Sequence, residues 1–316
     1  MSAGSKAVAL LQYVPLRLAV GLVDLLPARL ALSLARWVGR LAWFFLPRRR
    51  RTAISNVALA GVAKDAADAR RIARASFESF AMLAVESLKA SKLITPDTAD
   101  RYAEFVVPSE TMALLKDPAQ PVILGSAHIG NWELSGHIIS FTKPLVAVAR
   151  NLDNPYAQRF MKKRNPRRRI EIVAKHSQDR LALLRPLRSG KLLGLICDQY
   201  AVSHGVLAPF FGRETPTIAS PARLALATGA PIVCGFCLRT GPMKFRLEAF
   251  DPIRPKPTGD RDADILALTT EVNRRIEDIV RRYPEQYLWS HRRWRGKPAV
   301  PTEPAAAVTP AQRDKN

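Results

Sequence analysis

The stretch VILGSAHIGNWE, residues 122–133, joins a short apolar run to a loop bounded by glycines, and a helical pattern follows it. A second apolar run, LLGLI at residues 192–196, lacks polar alternation and is typical of a strand buried on both faces of a sheet. Runs of this kind alternate with helical stretches along the body of the chain. The alternation predicts an α/β fold with a central, mostly parallel sheet flanked by helices.

The same alternation gives the positions of the predicted elements. Strands are expected at residues 105–107, 122–125, 145–149, 170–173, 192–197, 232–237 and 245–250. Helices are expected near residues 66–91, 130–141, 154–164, 177–189, 217–229 and 262–283.

Composition divides the chain into three parts. Residues 1–50 form a predicted membrane-anchoring helical segment, and residues 51–297 form a single predicted α/β domain. Residues 298–316 are rich in Pro and Ala and have no apolar period, which predicts a disordered tail.

The N-terminal apolar stretch is only a marginal candidate for a membrane span. Ten uncharged residues, 7–16, are followed by Arg17 and Asp24, and Pro15 also interrupts the pattern. A spanning helix needs about 20 consecutive, predominantly apolar residues. The sequence therefore leaves open whether residues 7–27 cross a bilayer or lie on it.

The next segment, residues 30–46, is typical of a helix that lies in a membrane interface. It is rich in Leu, Ala, Trp and Phe, and the spacing of Arg29, Arg36 and Arg40 puts them on one helical face. Four arginines follow at residues 48–51. We expect them to contact anionic headgroups on the cytoplasmic side of a membrane. The alternative is a buried helical hairpin of a soluble core, followed by a solvated run of charge.

The charge balance favours a negatively charged partner. The 316 residues contain 49 Lys and Arg against 27 Asp and Glu, a formal net charge of +22. A hydrophobic content of 47% excludes a disordered basic chain, and three cysteines exclude a disulfide scaffold. No nucleic-acid-binding motif occurs, so nucleic acid is not an expected partner. A basic membrane- or nucleic-acid-binding protein without catalytic activity stays open as an alternative.

His128 is the strongest candidate for catalysis. It follows a predicted buried strand, and ligands bind at the carboxyl ends of strands in open α/β sheets. Glu133 comes five residues later, in the first turns of the next helix, where its carboxylate is able to fold back toward the imidazole. A carboxylate on one ring nitrogen fixes the tautomer and leaves the other nitrogen as a base. A purely structural histidine is the alternative.

Other chemistries receive little support. No G-x-S-x-G motif occurs, which argues against a serine α/β-hydrolase. His128, Glu133 and His137 do not have a zinc-ligand spacing, so no metal is expected. Cys234 and Cys237 form a C-x-x-C inside an apolar strand, where they are best interpreted as small core residues.

Five motifs in a fixed order give the chain a family resemblance. They are RRRRTAISN at residues 48–56, HIGNWE at 128–133, RNLDNP at 150–155, Asp198-Gln199 followed by PFFG at 209–212, and PEQYLWSHRRW at 284–294. In these motifs the sequence resembles the bacterial lipid A biosynthesis acyltransferases, the late lauroyl and myristoyl transferases of the lysophospholipid acyltransferase-like group. HIGNWE matches the H-x-x-x-x-[DE] element of that family, and the last motif is the more specific of the two.

The resemblance implies that an acyl chain moves from an acyl thioester to a hydroxyl of a membrane glycolipid such as a lipid A precursor. The implied donor is acyl-carrier protein, with no further cofactor. Other acceptors occur within the family, so transfer from acyl-coenzyme A to a phospholipid or a phosphatidylinositol mannoside is the alternative.

The resemblance also implies roles for single residues. His128 is the implied general base and Glu133 its orienting partner. Implied substrate-binding residues are Asn131, Arg150, Arg164, Asp198, Gln199, Arg292 and Arg293, with the arginines expected to hold phosphate or developing charge.

Overall fold

The computed structural model describes residues 3–149, 152–164, 169–174, 181–201, 203 and 205–295, with side chains from residue 8 onward. The predicted tail at residues 298–316 lies outside these residues. The strands are β1 (Ala103–Val106), β2 (Val122–Ser126), β3 (Leu145–Ala149), β4 (Ile170–Ala174), β5 (Leu192–Ile196), β6 (Val206–Phe210), β7 (Arg213–Thr217), β8 (Ile232–Gly241) and β9 (Lys244–Ala249). The helices are α1 (Ala3–Leu25), α2 (Ala28–Phe45), α3 (Pro47–Leu59), α4 (Ala66–Leu93), α5 (Ala99–Tyr102), α6 (Ser109–Lys116), α7 (Trp132–Thr142), α8 (Pro155–Arg164), α9 (Leu184–Arg188), α10 (Ser220–Thr228) and α11 (Arg261–Arg282).

Seven strands form one sheet in the order β1-β9-β8-β2-β5-β3-β4. Its neighbouring strands are parallel, apart from the antiparallel pair β8 and β9. Helices cover both faces: Ile276 of α11 packs in the cluster around Ile123 and Leu193, whereas Leu134 of α7 packs with Phe245. The apolar runs of the central strands are continuous because both of their faces are buried. The predicted fold class and seven predicted strands are confirmed.

A separate hairpin, β6 with β7, was not predicted. Its strands contain Pro209 and Pro216, and proline weakens the strand pattern of a sequence. The turn between them places Phe211 at φ +50° and Gly212 at φ +68°, the backbone of a tight two-residue hairpin. The sequence marked this segment by its motif, but not as a pair of strands.

Two predicted helices are shorter in the structure. The helix predicted from residue 130 begins at Trp132, because Gly130 is left-handed and the Asn131 side chain caps the first turn. Within the predicted helix 177–189 the structure contains α9, while residues 175–180 lie outside the described part of the chain.

Helix α2 packs mainly on α4. Gly39 of α2 lies so close to α4 that a Cβ there would be 2.6 Å from Glu78 Cα. Arg36 and Arg40 both reach Glu78, with Nε–Oε separations of 3.8 and 2.9 Å, so they share one face of α2 as their spacing predicted. The packing leaves much of the apolar surface of α1 and α2 exposed.

Candidate active site

The register of β2 and β5 places His128 beside Asp198. The two strands are parallel neighbours, and Ser126 pairs with Ile196. His128 and Asp198 each lie two residues beyond this pair, past the carboxyl ends of the strands. The Cys197 N–H donates to the Ser126 carbonyl at 3.0 Å, so the pairing continues toward the site. The sheet itself therefore brings the two side chains together.

Asp198 binds His128 at two points. Its Oδ1 lies 2.8 Å from His128 Nδ1, and its Oδ2 accepts the His128 backbone N–H at 3.0 Å. His128 Nε2 lies 3.4 Å from the side-chain nitrogen of Gln199. When Nδ1 donates its proton to the carboxylate, Nε2 is the unprotonated nitrogen and is able to act as a base.

Asp198 is only 3% exposed, yet its surroundings favour the charged form. Burial opposes ionisation, but the nearby imidazole and hydrogen bonds from His128 and Tyr287 hold the pKa of Asp198 below its usual value. Burial and the Asp198 charge raise the pKa of Tyr287 well above its usual value, so its hydroxyl stays protonated and donates to the carboxylate. A charged Asp198 stabilises the imidazolium that forms when His128 takes a proton.

The sequence assigned the orienting carboxylate to Glu133, whereas the structure places Asp198 at Nδ1. Glu133 lies in the first turn of α7, where it lines an apolar cavity beside Trp132. The role of Glu133 at the imidazole stays a prediction. The apolar run before Asp198 was the signal that this carboxylate also lies at the carboxyl edge of the sheet.

The loop after β2 has a backbone that only glycine fits at its centre. Gly130 has φ +59°, and a Cβ there would lie 2.0 Å from the Cys237 carbonyl oxygen. The close approach allows the Asn131 N–H to donate to this carbonyl at 2.7 Å, while the Gly130 N–H donates to Gln286 at 3.1 Å. The loop is therefore fixed against two other segments of the chain.

The C-terminal signature supports the same loop from the other side. Leu288 N–H donates to the His128 carbonyl at 2.9 Å, and Ile129 forms an antiparallel bridge with Tyr287. The buried Asn56 side chain donates to the Trp289 and His291 carbonyls at 2.7 and 2.6 Å. Three motifs that are far apart in sequence thus meet at one site.

His291 lies near the site, and the sequence marked it only as part of the motif at residues 284–294. Burial lowers the pKa of His291 to about 4, aided by nearby charges that include His128 and opposed by the Asp198 carboxylate. Its Nδ1 is buried and has no hydrogen-bond partner among the described residues. A second imidazole, neutral at pH 7, therefore lies near the pair of His128 and Asp198. Its position within the signature at residues 284–294 was the only available signal.

A cavity of about 210 Å³ lies on one face of the sheet, beneath α6 and α7. Trp132 lines it, and the Trp132 ring packs edge-on to the His128 ring with centroids 4.9 Å apart. The remaining lining is mainly apolar and includes Met112, Leu145 and Val233. An apolar chamber therefore begins beside the histidine.

Two predicted substrate-binding residues have structural contacts. Asn131 is fully buried, where its Oδ1 accepts the Leu134 N–H at 2.9 Å and its Nδ2 donates to Glu86 at 3.1 Å. Arg293 is 2% exposed and donates to the Pro216 carbonyl and the Thr217 hydroxyl, each at 2.7 Å. Both side chains hold the architecture around the site, and their predicted contact with substrate stays untested.

The other predicted arginines lie in different surroundings. Arg164 forms a partly buried ion pair with Asp24 of α1 and donates to the Leu88 carbonyl at 3.0 Å, so its guanidinium is engaged by the N-terminal helix. Arg292 is exposed next to the buried Arg293. Arg150 lies outside the described residues. Of the predicted site residues, the structure brings together His128, Asp198 and Gln199.

The two cysteines of the C-x-x-C are buried in β8, as expected of core residues. Burial raises the pKa of Cys234 to about 12 and that of Cys237 further still, so both thiols are neutral. His137 is also buried, with Nε2 3.0 Å from the Ile94 carbonyl oxygen. Among the described residues no group of three or more His, Cys, Asp or Glu is arranged to hold a metal ion.

A histidine–carboxylate pair at the carboxyl edge of an α/β sheet, beside an apolar chamber, is an arrangement suited to base catalysis on a substrate with an apolar chain. Comparison with known proteins gives the family. The profile of the bacterial lipid A biosynthesis acyltransferases matches residues 3–296, and the chain belongs to this family. It is an acyltransferase, as the sequence resemblance implied.

Curated relatives agree with this assignment. The chain is 24% identical to the lipid A biosynthesis palmitoleoyltransferase of Escherichia coli K12 over 276 residues, covering 86% of this chain and 87% of the relative. It is equally similar, at 24% over the same share of each chain, to a lipid A biosynthesis acyltransferase of Shigella flexneri. The lipid A biosynthesis lauroyltransferase of E. coli K12 is 24% identical over 284 residues, covering 88% of this chain and 89% of the relative.

Proposed function

We propose that this protein transfers a fatty acyl chain from acyl-carrier protein to a hydroxyl of a lipid A precursor. The family and the printed names of the relatives support the acceptor class. The single observation that carries the mechanism is the contact of His128 Nδ1 with Asp198 at 2.8 Å, beside an apolar cavity. The pair supplies a base, and the cavity supplies a place for an acyl chain.

In the proposed reaction His128 Nε2 removes the proton of the acceptor hydroxyl as its oxygen attacks the thioester carbonyl carbon. The new C–O bond forms and gives a tetrahedral intermediate with a negative oxygen. The C–S bond then breaks, and the leaving sulfur takes the proton back from the imidazolium. Asp198 keeps Nδ1 protonated and stabilises the positive ring throughout, and base catalysis of this kind is worth about 10²- to 10⁴-fold in rate.

The negative oxygen of the intermediate needs a donor outside the histidine loop. The backbone N–H groups of residues 128–131 already donate to Asp198, Ala127, Gln286 and Cys237. We propose Arg150 for this role, in line with the charge-holding role that the family resemblance implies for it. Glu133, at the cavity wall, is proposed as a second carboxylate acting near His128.

The charge of the chain suits both proposed substrates. A net charge of +22 attracts an acidic carrier protein and a phosphorylated glycolipid. The proposed location is the cytoplasmic face of the inner membrane, and no cofactor takes part. We propose that the exposed Arg292 contacts a phosphate of the acceptor.

The test is acyl transfer by membranes that carry the wild-type chain or a His128 variant. The donors are labelled acyl-carrier protein and acyl-coenzyme A, and the acceptors are a tetra-acylated lipid A precursor and a panel of phospholipids. His128→Gln keeps an amide able to donate to Asp198 but has no basic nitrogen, so we expect a rate lower by about 10²- to 10⁴-fold. Equal rates for the wild type and His128→Gln would show that His128 is not the base. Acylation of a phospholipid, and not of the lipid A precursor, would show that the acceptor is a phospholipid.

A further inference from the structure

Helix α1 has two different faces. Ala9, Tyr13, Val20 and Asp24 are four or seven residues apart and lie on the side packed against the protein. The opposite face consists of large apolar side chains that are all exposed, namely Val8, Leu11, Val14, Leu18, Leu22 and Leu25. Length and composition alone make Val8–Leu25 a candidate membrane span. The packing of α8 against α1 argues against a span.

Helix α8 and the residue before it accompany α1 along most of its length. At one end the Asn154 side chain donates to the Ala9 carbonyl at 2.7 Å. In the middle, the Tyr13 and Phe160 ring centroids lie 6.1 Å apart, and the Arg17 guanidinium lies 4.5 Å from the Phe160 ring. The contacts from Ala9 to the ion pair of Asp24 with Arg164 cover about 22 Å of helix at 1.5 Å per residue.

A spanning α1 would take α8 into the hydrocarbon with it. The contacts with α8 cover about 22 Å, and the hydrocarbon core of a bilayer is about 30 Å thick. Helix α8 exposes Arg159, Lys162 and Lys163, and charged side chains at the centre of a bilayer are strongly unfavourable. Asp24 is also held by Lys92 of α4 at 2.9 Å, so the second end of α1 is tied to the body of the protein.

Helix α2 extends the same kind of surface. Leu30, Leu34, Trp37, Leu41 and Phe44 are exposed, at spacings of three and four residues. The face with Arg36 and Arg40 borders this apolar stripe, and the four arginines at 48–51 follow the helix. An apolar stripe with a cationic border fits a bilayer surface that carries anionic headgroups.

We propose that α1 lies flat in the interface of an anionic phospholipid bilayer, with its exposed apolar face toward the acyl chains, and does not cross the membrane. Together with α2 it forms a docking surface on one leaflet. Helix α8 stays on the water side of α1, where its cations face the headgroups. This placement concerns how the chain sits on a membrane and does not depend on the acyl-transfer chemistry.

The first test is the sidedness of the two ends of the full-length chain. One epitope tag precedes Met1 and another follows Asn316, and protease is added to sealed spheroplasts or to inverted inner-membrane vesicles. A flat α1 leaves both tags on the same side, so both are digested in the same preparation. Digestion of the two tags in opposite preparations would show that α1 crosses the bilayer and would overturn the proposal.

The second test measures binding to sealed vesicles of phosphatidylglycerol and phosphatidylethanolamine. Leu18→Asp and Leu22→Asp each remove a large side chain from the apolar face, and each is expected to weaken binding by about tenfold or more. Gln12→Asp is the matched control, since it adds the same charge to an exposed position beside that face. We expect the control to lose less than about fivefold.

Equal binding of the leucine variants and the control would show that the apolar face does not enter the bilayer. Failure of the wild-type chain to bind vesicles, with self-association that Leu18→Asp abolishes, would make a second copy of the chain the occupant of this face. Both tests are independent of activity, so their failure is distinct from a failure to detect acyl transfer.

Discussion

The carboxyl edge of the sheet and the N-terminal helix pair are held in place by opposite means. At the edge, the backbone N–H groups of the His128 loop are bonded to Asp198 after β5, to Cys237 of β8 and to the C-terminal signature. Helices α1 and α2 have one face packed on the protein and leave a broad apolar face without protein cover. The residues of the candidate site therefore lie in a frame fixed by hydrogen bonds, while the exposed surface of α1 and α2 is apolar and available to a partner.

Among variants that test the bonded edge of the sheet, the largest effect, a loss of kcat, is expected from Asp198→Asn. The amide cannot stabilise an imidazolium and favours the wrong tautomer, so we expect kcat to fall by about 10³- to 10⁴-fold with little change in KM. Glu133→Gln is the comparison variant, because it removes the carboxylate that the sequence predicted as the partner of His128. Steady-state kinetics on membranes, with circular dichroism as a folding control, separates the two roles. A greater loss in Glu133→Gln than in Asp198→Asn would return the orienting role to Glu133.

A smaller effect, on stability, is expected from Gly130→Ala. The new Cβ would meet the Cys237 carbonyl oxygen at 2.0 Å and the backbone has a positive φ, so we expect a loss of about 3 kcal/mol in the free energy of unfolding. Gly229→Ala is the matched control, since φ is +74° there but no atom lies within 4 Å of the Cβ. Its expected cost is about 1 kcal/mol. Urea unfolding in detergent measures the free energy of unfolding of both variants. Equal losses would mean that the loop rearranges to accommodate the new Cβ without a large loss of stability.

The smallest effect concerns the connection of α1 to the body. The hydrogen bond from Arg164, together with Lys92, lowers the pKa of Asp24 to about 2 from an ordinary value of 3.8. A depressed pKa stabilises the fold above the unfolded value, and this contribution is lost as pH falls from about 4 to about 2. Asp24→Asn should cost about 1 kcal/mol at pH 7, because the site is partly open to solvent. Thermal unfolding against pH measures this, and a wild-type chain and variant with parallel profiles between pH 4 and 2 would contradict the ion pair.

Much of the site was predictable from local sequence. The run before His128 predicts a buried strand, and the glycine after it predicts a turn at the carboxyl edge. The prediction of Glu133 as the partner of His128 relied on proximity along the chain. The pairing with Asp198 arises because β2 and β5 are adjacent and in register, and strand order is not encoded in a local pattern. The contribution of Tyr287 has the same origin, since it reaches the site from the end of the chain.

The sequence by itself determined the α/β class, the seven strands of the sheet, the candidate base His128 and the family, because each depends on local periodicity or on contiguous motifs. The tertiary structure decided which carboxylate binds His128 Nδ1. It also showed that Asn131 and Arg293 are buried and bonded within the protein. It also placed α8 along α1. This packing bears on whether residues 7–27 cross a bilayer or lie on it, which composition left open. Hydropathy measures one helix at a time, whereas the position of a helix in a membrane depends on the charges packed beside it.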